Sequence, residues 1–136
     1  MEGIMEANID KIAWICLRDG RMLNVRSKGK ELFYVPGGKR DAGESDLETL
    51  QREIQEELSA SVKPDTAEYF ATFEAQADGK PEGVLVRMTC YFAEVEGELQ
   101  PASEIEEMAW LSYAERDRTS LISRMIFDRL HELKLL

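Results

Sequence analysis

The chain carries one histidine, two cysteines and four prolines in 136 residues. A single histidine, His131, excludes every multi-histidine metal centre. It also leaves a serine–histidine–acid triad without support, since no nucleophile elbow accompanies it. Cys16 and Cys90 both lie inside apolar stretches, and they read as buried free thiols rather than a disulfide framework. The longest apolar run, Ile12 to Leu17, is six residues, against the roughly 20 that a membrane-spanning helix needs. The first ten residues lack the basic start and apolar stretch of a secretory signal, and with the free thiols this predicts a cytoplasmic protein. Positive charge is also scarce, with 17 basic against 27 acidic residues and a formal charge of −10. Such a chain is a poor ligand for a nucleic-acid polymer, whose phosphates reward cations.

What is present is enough to build a core. At 43% hydrophobic, with no repeat, low-complexity tract or long linker, residues 1–136 read as one domain. The charge is unevenly spread. Arg18 to Arg40 holds seven basic residues and two acidic ones, whereas Asp41 to Ala60 holds seven acids and the lone Arg52. A basic segment running into an acidic one suits an anionic ligand held partly by side-chain cations and partly by bound metal. Alternating solvated surfaces are the plainer reading of the same pattern.

The patterning predicts a strand over Ile9–Arg18, paired with Met22–Arg26 across an Asp19-Gly20 turn. Glu31–Val35 reads as a short strand stopped by Pro36-Gly37-Gly38. Ser45 with Glu48 makes a capping box for a helix over Asp46–Leu58. Two strands follow, Ala67–Ala75 and Val84–Val95, separated by a loop from Asp78 to Gly83. A further strand is expected at Met108–Leu111. The last helix is expected over Thr119–Lys134, with Ile122, Met125, Ile126, Leu130 and Leu133 on its buried face. Strands mixed with two helices in so short a chain make an α/β sandwich.

The first helix carries the chemistry. At 100° per residue from Ile54, the residues Leu47, Leu50 and Leu58 fall within about 40° of it and make a narrow apolar stripe. Glu57, Glu53 and Glu56 share the arc beside that stripe. Like charges so spaced cost only a few tenths of a kcal/mol per pair on a solvated helix, so the cluster alone does not require a function. The functional reading is that a hard divalent cation supplies the missing positive charge, because Mg²⁺ is commonly held by a few carboxylates together with substrate phosphates.

From Gly37 to Ala60 the sequence runs GGKRDAGESDLETLQREIQEELSA. It strongly resembles the Nudix box, G-x5-E-x7-R-E-U-x-E-E-x-G-U with U aliphatic, over about residues 38–60. Gly38, Glu44, Arg52, Glu53, Ile54, Glu56 and Glu57 all stand at the required separations, and Pro36-Gly37-Gly38-Lys39 looks like the approach to the box in MutT-type members. Ser59 stands where the motif has glycine, and Ala60 where it has a larger aliphatic; neither position supplies a metal ligand. The resemblance implies a Nudix-type α/β/α sandwich with a mixed sheet between helices, and a Mg²⁺-dependent pyrophosphohydrolase with Mn²⁺ as a substitute. By the same resemblance Glu53, Glu56 and Glu57 bind metal with the Gly37 carbonyl, Arg52 orients the glutamates, and Glu44 braces the loop, with Gly38 as a structural residue. A catalytic base lies either in the box, at Glu53 or Glu56, or outside it at Glu104, with Glu107 competing. Arg26 and Lys39 are the expected phosphate contacts. Phe33 and Tyr34 read as core aromatics, one of them a candidate to stack on a base, and Arg87 as a charge within a strand.

The marks of several specialised subfamilies are missing. Positions 75 and 76 are Ala and Gln, where the resemblance to ADP-ribose hydrolases would need a proline. Tyr69 comes too early for the dinucleoside-polyphosphate group, and the NADH-type S-Q-P-W-P stretch does not occur. The implied substrate is therefore a nucleoside triphosphate, normal or oxidised, cleaved to monophosphate and pyrophosphate. The protein is expected to meet a small-molecule nucleotide, with no membrane and no nucleic-acid polymer as partner, as a monomer or homodimer. Three alternatives stay open at this point. They are hydrolysis of another nucleoside diphosphate derivative, a non-catalytic nucleotide or nucleotide-sugar binding module, and a scaffold whose glutamates merely face water.

Overall fold

The computed structural model describes residues 8–136; the first seven residues of the N-terminal stretch lie outside the described part. Strand β1 (Ile9–Ile15) ends in four consecutive buried residues. Ile12 and Trp14 enter one apolar cluster while Ala13 and Ile15 enter another. A strand covered on both faces reads as an unbroken apolar run, so the sequence over Ile9–Arg18 looks like one strand. The chain in fact changes sheets at Cys16. After it, β2 (Leu17–Arg18) turns back into β3 (Arg21–Ser27). The turn residues Asp19 and Gly20 have φ of 53° and 75°, as a two-residue hairpin turn of the right twist requires.

The remaining elements are β4 (Gly37–Lys39), α1 (Asp46–Leu58), β5 (Ser61–Val62), β6 (Glu68–Gln76), β7 (Leu85–Phe92), β8 (Val95–Glu96), β9 (Ile105–Leu111) and α2 (Leu121–Glu132). A mixed four-stranded sheet has the order β4-β1-β7-β6, with β1 and β7 parallel. A three-stranded antiparallel sheet has the order β2-β3-β9, and β5 pairs with β8. Leu50, Ile54 and Leu58 of α1 pack with Ile12, Trp14, Leu23 and Val25. Ile122, Ile126, Phe127 and Leu130 of α2 pack with Ala13, Ile15 and Met22 on the other side. The sheets thus lie between two helices, in the α/β/α sandwich that the sequence predicts. Among the described residues no helix is long and apolar enough to cross a membrane, and both cysteines are free, Cys90 buried and Cys16 half-buried.

Several boundaries differ from the sequence reading. Glu31–Val35 is not a strand: only Tyr34 and Phe33 make single bridges, to Val25 and to Thr119. Gly37 and Gly38 do not stop a strand but form one. A Cβ on Gly37 would lie 2.0 Å from the Ile12 carbonyl oxygen, so glycine is what lets β4 approach β1. The second long strand ends at Phe92, and Val95 belongs to β8. Strand β9 starts at Ile105, earlier than its apolar core suggests. In α2, Phe127 is buried while Met125 and Leu133 are 36% and 52% exposed. Leu133 is the C-cap, outside the helical geometry, and Met125 falls on the flank away from Phe127.

Candidate active site

Helix α1 begins as its sequence dictates. The Ser45 hydroxyl accepts the Glu48 N–H at 3.1 Å and the Glu48 carboxylate accepts the Ser45 N–H at 2.8 Å, satisfying two donors that the first turn leaves unpaired. The helix ends at Ser59 with φ 62° and ψ 24°. This is the left-handed cap in which the motif's glycine is at ease, so serine adopts the glycine conformation and does not re-route the chain.

The acidic side chains on and around this helix divide into two groups. Glu44 accepts the Asp41 N–H and the Thr49 hydroxyl, each at 2.9 Å. It also accepts both Nε and Nη2 of Arg52, at 2.7 and 2.9 Å. These bonds, with Arg52 contributing most, hold its carboxyl down at about 2. Arg52 reaches on to the Lys39 carbonyl at 3.0 Å and to Glu53 Oε2 at 2.8 Å. One guanidinium therefore ties the loop, the β4 strand and the helix together. Its contact with Glu56 is longer, 3.4 Å, and Glu56 is 54% exposed.

The second group faces a cavity of about 250 Å³ lined by Lys11, Tyr34, Gly37, Gly38, Lys39, Glu53, Glu57 and Glu104. Glu57 is 3% exposed and accepts one hydrogen bond, from the Gly37 N–H at 3.2 Å. Burial pushes its carboxyl up to about 8, and Glu53 and Glu104 add to the rise. Glu53 is raised as well, chiefly by burial and against the pull of Arg52. It lies hard against Gly38, where a Cβ would come within 2.3 Å of its carboxylate. Of the residues singled out from sequence, Gly37, Gly38, Lys39, Glu53, Glu57 and Glu104 meet here. Arg52 and Glu44 stand behind as the brace, and Glu56 lies outside the lining.

Arg26 is not among the lining residues. Its Nη2 and Nε bind Glu107 Oε1 at 2.9 and 3.1 Å, and its Nη1 binds the Lys30 carbonyl at 2.9 Å. That pairing also commits Glu107, leaving Glu104 as the acid from this segment that lines the cavity. Phe33 is core, whereas Tyr34 lines the cavity with its hydroxyl bonded to Ser27. Arg87 is exposed on β7. His131 stacks on Tyr113 with ring centroids 3.8 Å apart, far from the acidic helix in sequence and unconnected to the cavity.

The donor set fits a hard divalent cation. All its donors are oxygens, and one carboxyl is buried with a single hydrogen bond and no ion pair among the described residues, which suits Mg²⁺ or Mn²⁺ better than a softer metal. Among the described residues no three acidic, cysteine or histidine side chains already form a complete cage. Mg²⁺ does not need one, because it keeps several waters and shares substrate phosphates.

The NUDIX domain family matches residues 10–129, nearly the whole chain. The chain belongs to the NUDIX family. It is accordingly a Nudix hydrolase, acting on phosphoric anhydride bonds. No curated protein matches it in sequence at a significant level. Among solved structures it is similar to the E. coli ORF135 protein at 25% identity and a TM-score of 0.74, covering 93% of this chain and 91% of that one. A MutT NUDIX hydrolase from Burkholderia pseudomallei shares its fold at 21% identity and a TM-score of 0.74, with 90% and 98% covered. So does a bifunctional NMN adenylyltransferase/ADP ribose pyrophosphatase from Francisella tularensis, at 17% identity and a TM-score of 0.68, with 92% of this chain and 41% of that one covered.

Sequence reading of this Nudix hydrolase missed Lys11. It sits in β1 directly opposite Lys39 of β4, and it lines the cavity. A lysine just before the apolar run of a buried strand was the available signal.

Proposed function

We propose that the protein is a Mg²⁺-dependent pyrophosphohydrolase of a nucleoside triphosphate, normal or oxidised, releasing monophosphate and pyrophosphate in the cytoplasm. The observation that carries the reading is the meeting of Glu53, Glu57 and Glu104 on one cavity, backed by an arginine brace and faced by lysines. Glu53, Glu56 and Glu57 would hold the metal, with the Gly37 carbonyl as a further ligand. When bound, the metal draws charge from the phosphoryl oxygens and acidifies a coordinated water. Glu104 takes the proton of the attacking water, because it is the cavity carboxylate least committed to α1; Glu53 and Glu56 are the box alternatives. Arg52 keeps Glu53 in place, and Glu44 keeps Arg52 in place. Lys39 contacts substrate phosphate, and Arg26 does so by exchanging Glu107 for a phosphate oxygen. Such positioning and charge neutralisation is most of what phosphoryl transfer asks of a protein.

The test is a hydrolysis panel of normal and oxidised nucleoside triphosphates, ADP-ribose, dinucleoside polyphosphates and nucleotide sugars, with and without Mg²⁺, products separated by chromatography. Metal-dependent release of a monophosphate and pyrophosphate from a triphosphate is the expected result. Turnover confined to ADP-ribose or another diphosphate derivative overturns the substrate assignment, and silence from folded protein overturns the reaction.

A further inference from the structure

The cations around the site fall into two kinds. Arg26, Arg40 and Arg52 each bind a carboxylate at 2.9 Å or closer. Lys11 and Lys39 do not. Among the described residues neither ammonium lies within ion-pairing distance of a carboxylate, and neither donates a side-chain hydrogen bond. Yet Lys11 is partly buried, and Lys39 is its direct antiparallel partner in the β1–β4 register. Like charges directly opposite on neighbouring strands repel, and burying a charge without a partner costs more. Glu57 and Glu53 offset part of the Lys11 charge from beyond ion-pairing distance, and a Tyr34 ring lies 6.0 Å from its nitrogen, at the outer limit of a useful cation–π contact. The two lysines and the carboxylates Glu53, Glu57 and Glu104 line the same cavity, so the site has a positive pole and a negative pole.

We infer that Lys11, with Lys39 beside it, is a substrate-phosphate ligand: it holds a phosphate of the diphosphate unit whose charge the metal at the carboxylate pole leaves unneutralised. An anion placed between them gives both ammoniums a direct partner and offsets the cross-strand repulsion, which no carboxylate among the described residues does at ion-pairing distance. Burial acts in the same direction, for it lowers the affinity of Lys11 for its proton and leaves the charge in need of a partner. An anionic phosphate supplies it, and charge-assisted bonds of this type are the strong ones. The inference rests on the proposed phosphohydrolase reading for its ligand, but not for its test.

The experiment compares wild-type protein with Lys11→Met and Lys11→Arg, methionine filling a similar volume without charge. The probes are Mn²⁺ alone, Mg²⁺ with inorganic pyrophosphate, and the best substrate of the hydrolysis panel. In Lys11→Met the affinity for pyrophosphate should fall roughly 10- to 100-fold, as loss of a hydrogen bond to a charged group predicts. KM should rise with it, Mn²⁺ affinity should hold or tighten as a nearby like charge leaves, and Lys11→Arg should recover part of the loss. Unchanged pyrophosphate affinity in Lys11→Met overturns the assignment, and so does a parallel loss of Mn²⁺ affinity, which would make the lysine a support for the carboxylates. Wild-type protein that binds no pyrophosphate overturns it too. Lys11-dependent pyrophosphate binding without hydrolysis of any nucleotide sustains the Lys11 assignment and overturns the reaction instead.

Discussion

Glu44 and Glu57 stand at opposite ends of one loop–helix unit, and their surroundings could hardly differ more. Glu44 receives four hydrogen bonds and is held at about 2. Glu57 receives one, is buried, and is pushed up to about 8. Both are carboxylates of the same motif, yet one is satisfied by the protein and the other is not. The brace needs nothing more, whereas the cavity end keeps a buried carboxyl with one hydrogen bond, which the proposed cation would complete. A buried acid left short of positive charge is a group whose partner comes from outside.

Glu57→Gln should break the cavity end most severely. The fold survives, because an amide replaces an acid that burial already disfavours in its charged form. Turnover should fall by more than about 100-fold, beyond what a supporting residue costs. Undiminished steady-state activity would remove Glu57 from the metal set. Glu44→Gln tests the other end. It puts an amide nitrogen or a neutral oxygen against Arg52, frees the guanidinium, and loosens Glu53 at one remove. Activity should drop roughly 10- to 100-fold, with circular dichroism unchanged. A loss as large as that of Glu57→Gln would erase the distinction between brace and cavity.

The pH dependence of stability should show the two acids pulling in opposite directions. Glu57 keeps its proton in the folded state when the unfolded chain has released it. Its contribution is therefore complete below about 4.5 and is lost as the pH climbs towards 8. Glu44 contributes fully above about 4.5 and loses its contribution as the pH falls towards 2. In chelator, the melting temperature should fall between pH 5 and 8, while Mg²⁺, which binds the ionised carboxylate, should flatten that slope. Melts with the same slope in wild-type and Glu57→Gln protein would assign the decline to other groups. The smallest effect is expected at the helix exit. Ser59→Gly relieves the left-handed backbone and should stabilise by about 0.5–1 kcal/mol, read as a rise of a few degrees in melting temperature with activity unaltered.

Much of the local structure was legible without coordinates. Helix α1 spans the residues its capping box and apolar stripe predict, since both signals lie within a few residues of one another. The Asp19-Gly20 hairpin was legible for the same reason. The misreadings concern segments whose state depends on distant partners. Gly37-Gly38 looks like a stop until β1 is beside it. Phe33 and Tyr34 look like a strand until each is seen to make one bridge to a different partner, Thr119 and Val25. Met125 and Leu133 look buried until α2 is seated with Phe127 inward.

For the site, the sequence by itself determined the donor chemistry. Three glutamates on one helical arc, an arginine at fixed spacing and a glycine pair before them follow from a short-range period of 3.6 residues. Only the tertiary structure decided which acids share a space. It turned Glu56 outward, brought Glu104 in across 47 residues from Glu57, tied Glu107 to Arg26, and set Lys11 against Lys39. The physical reason is range. Helical phase and capping are settled by neighbours in the chain, whereas burial, and with it the upward shift of the Glu57 carboxyl, depends on what the sheets bring to the other side.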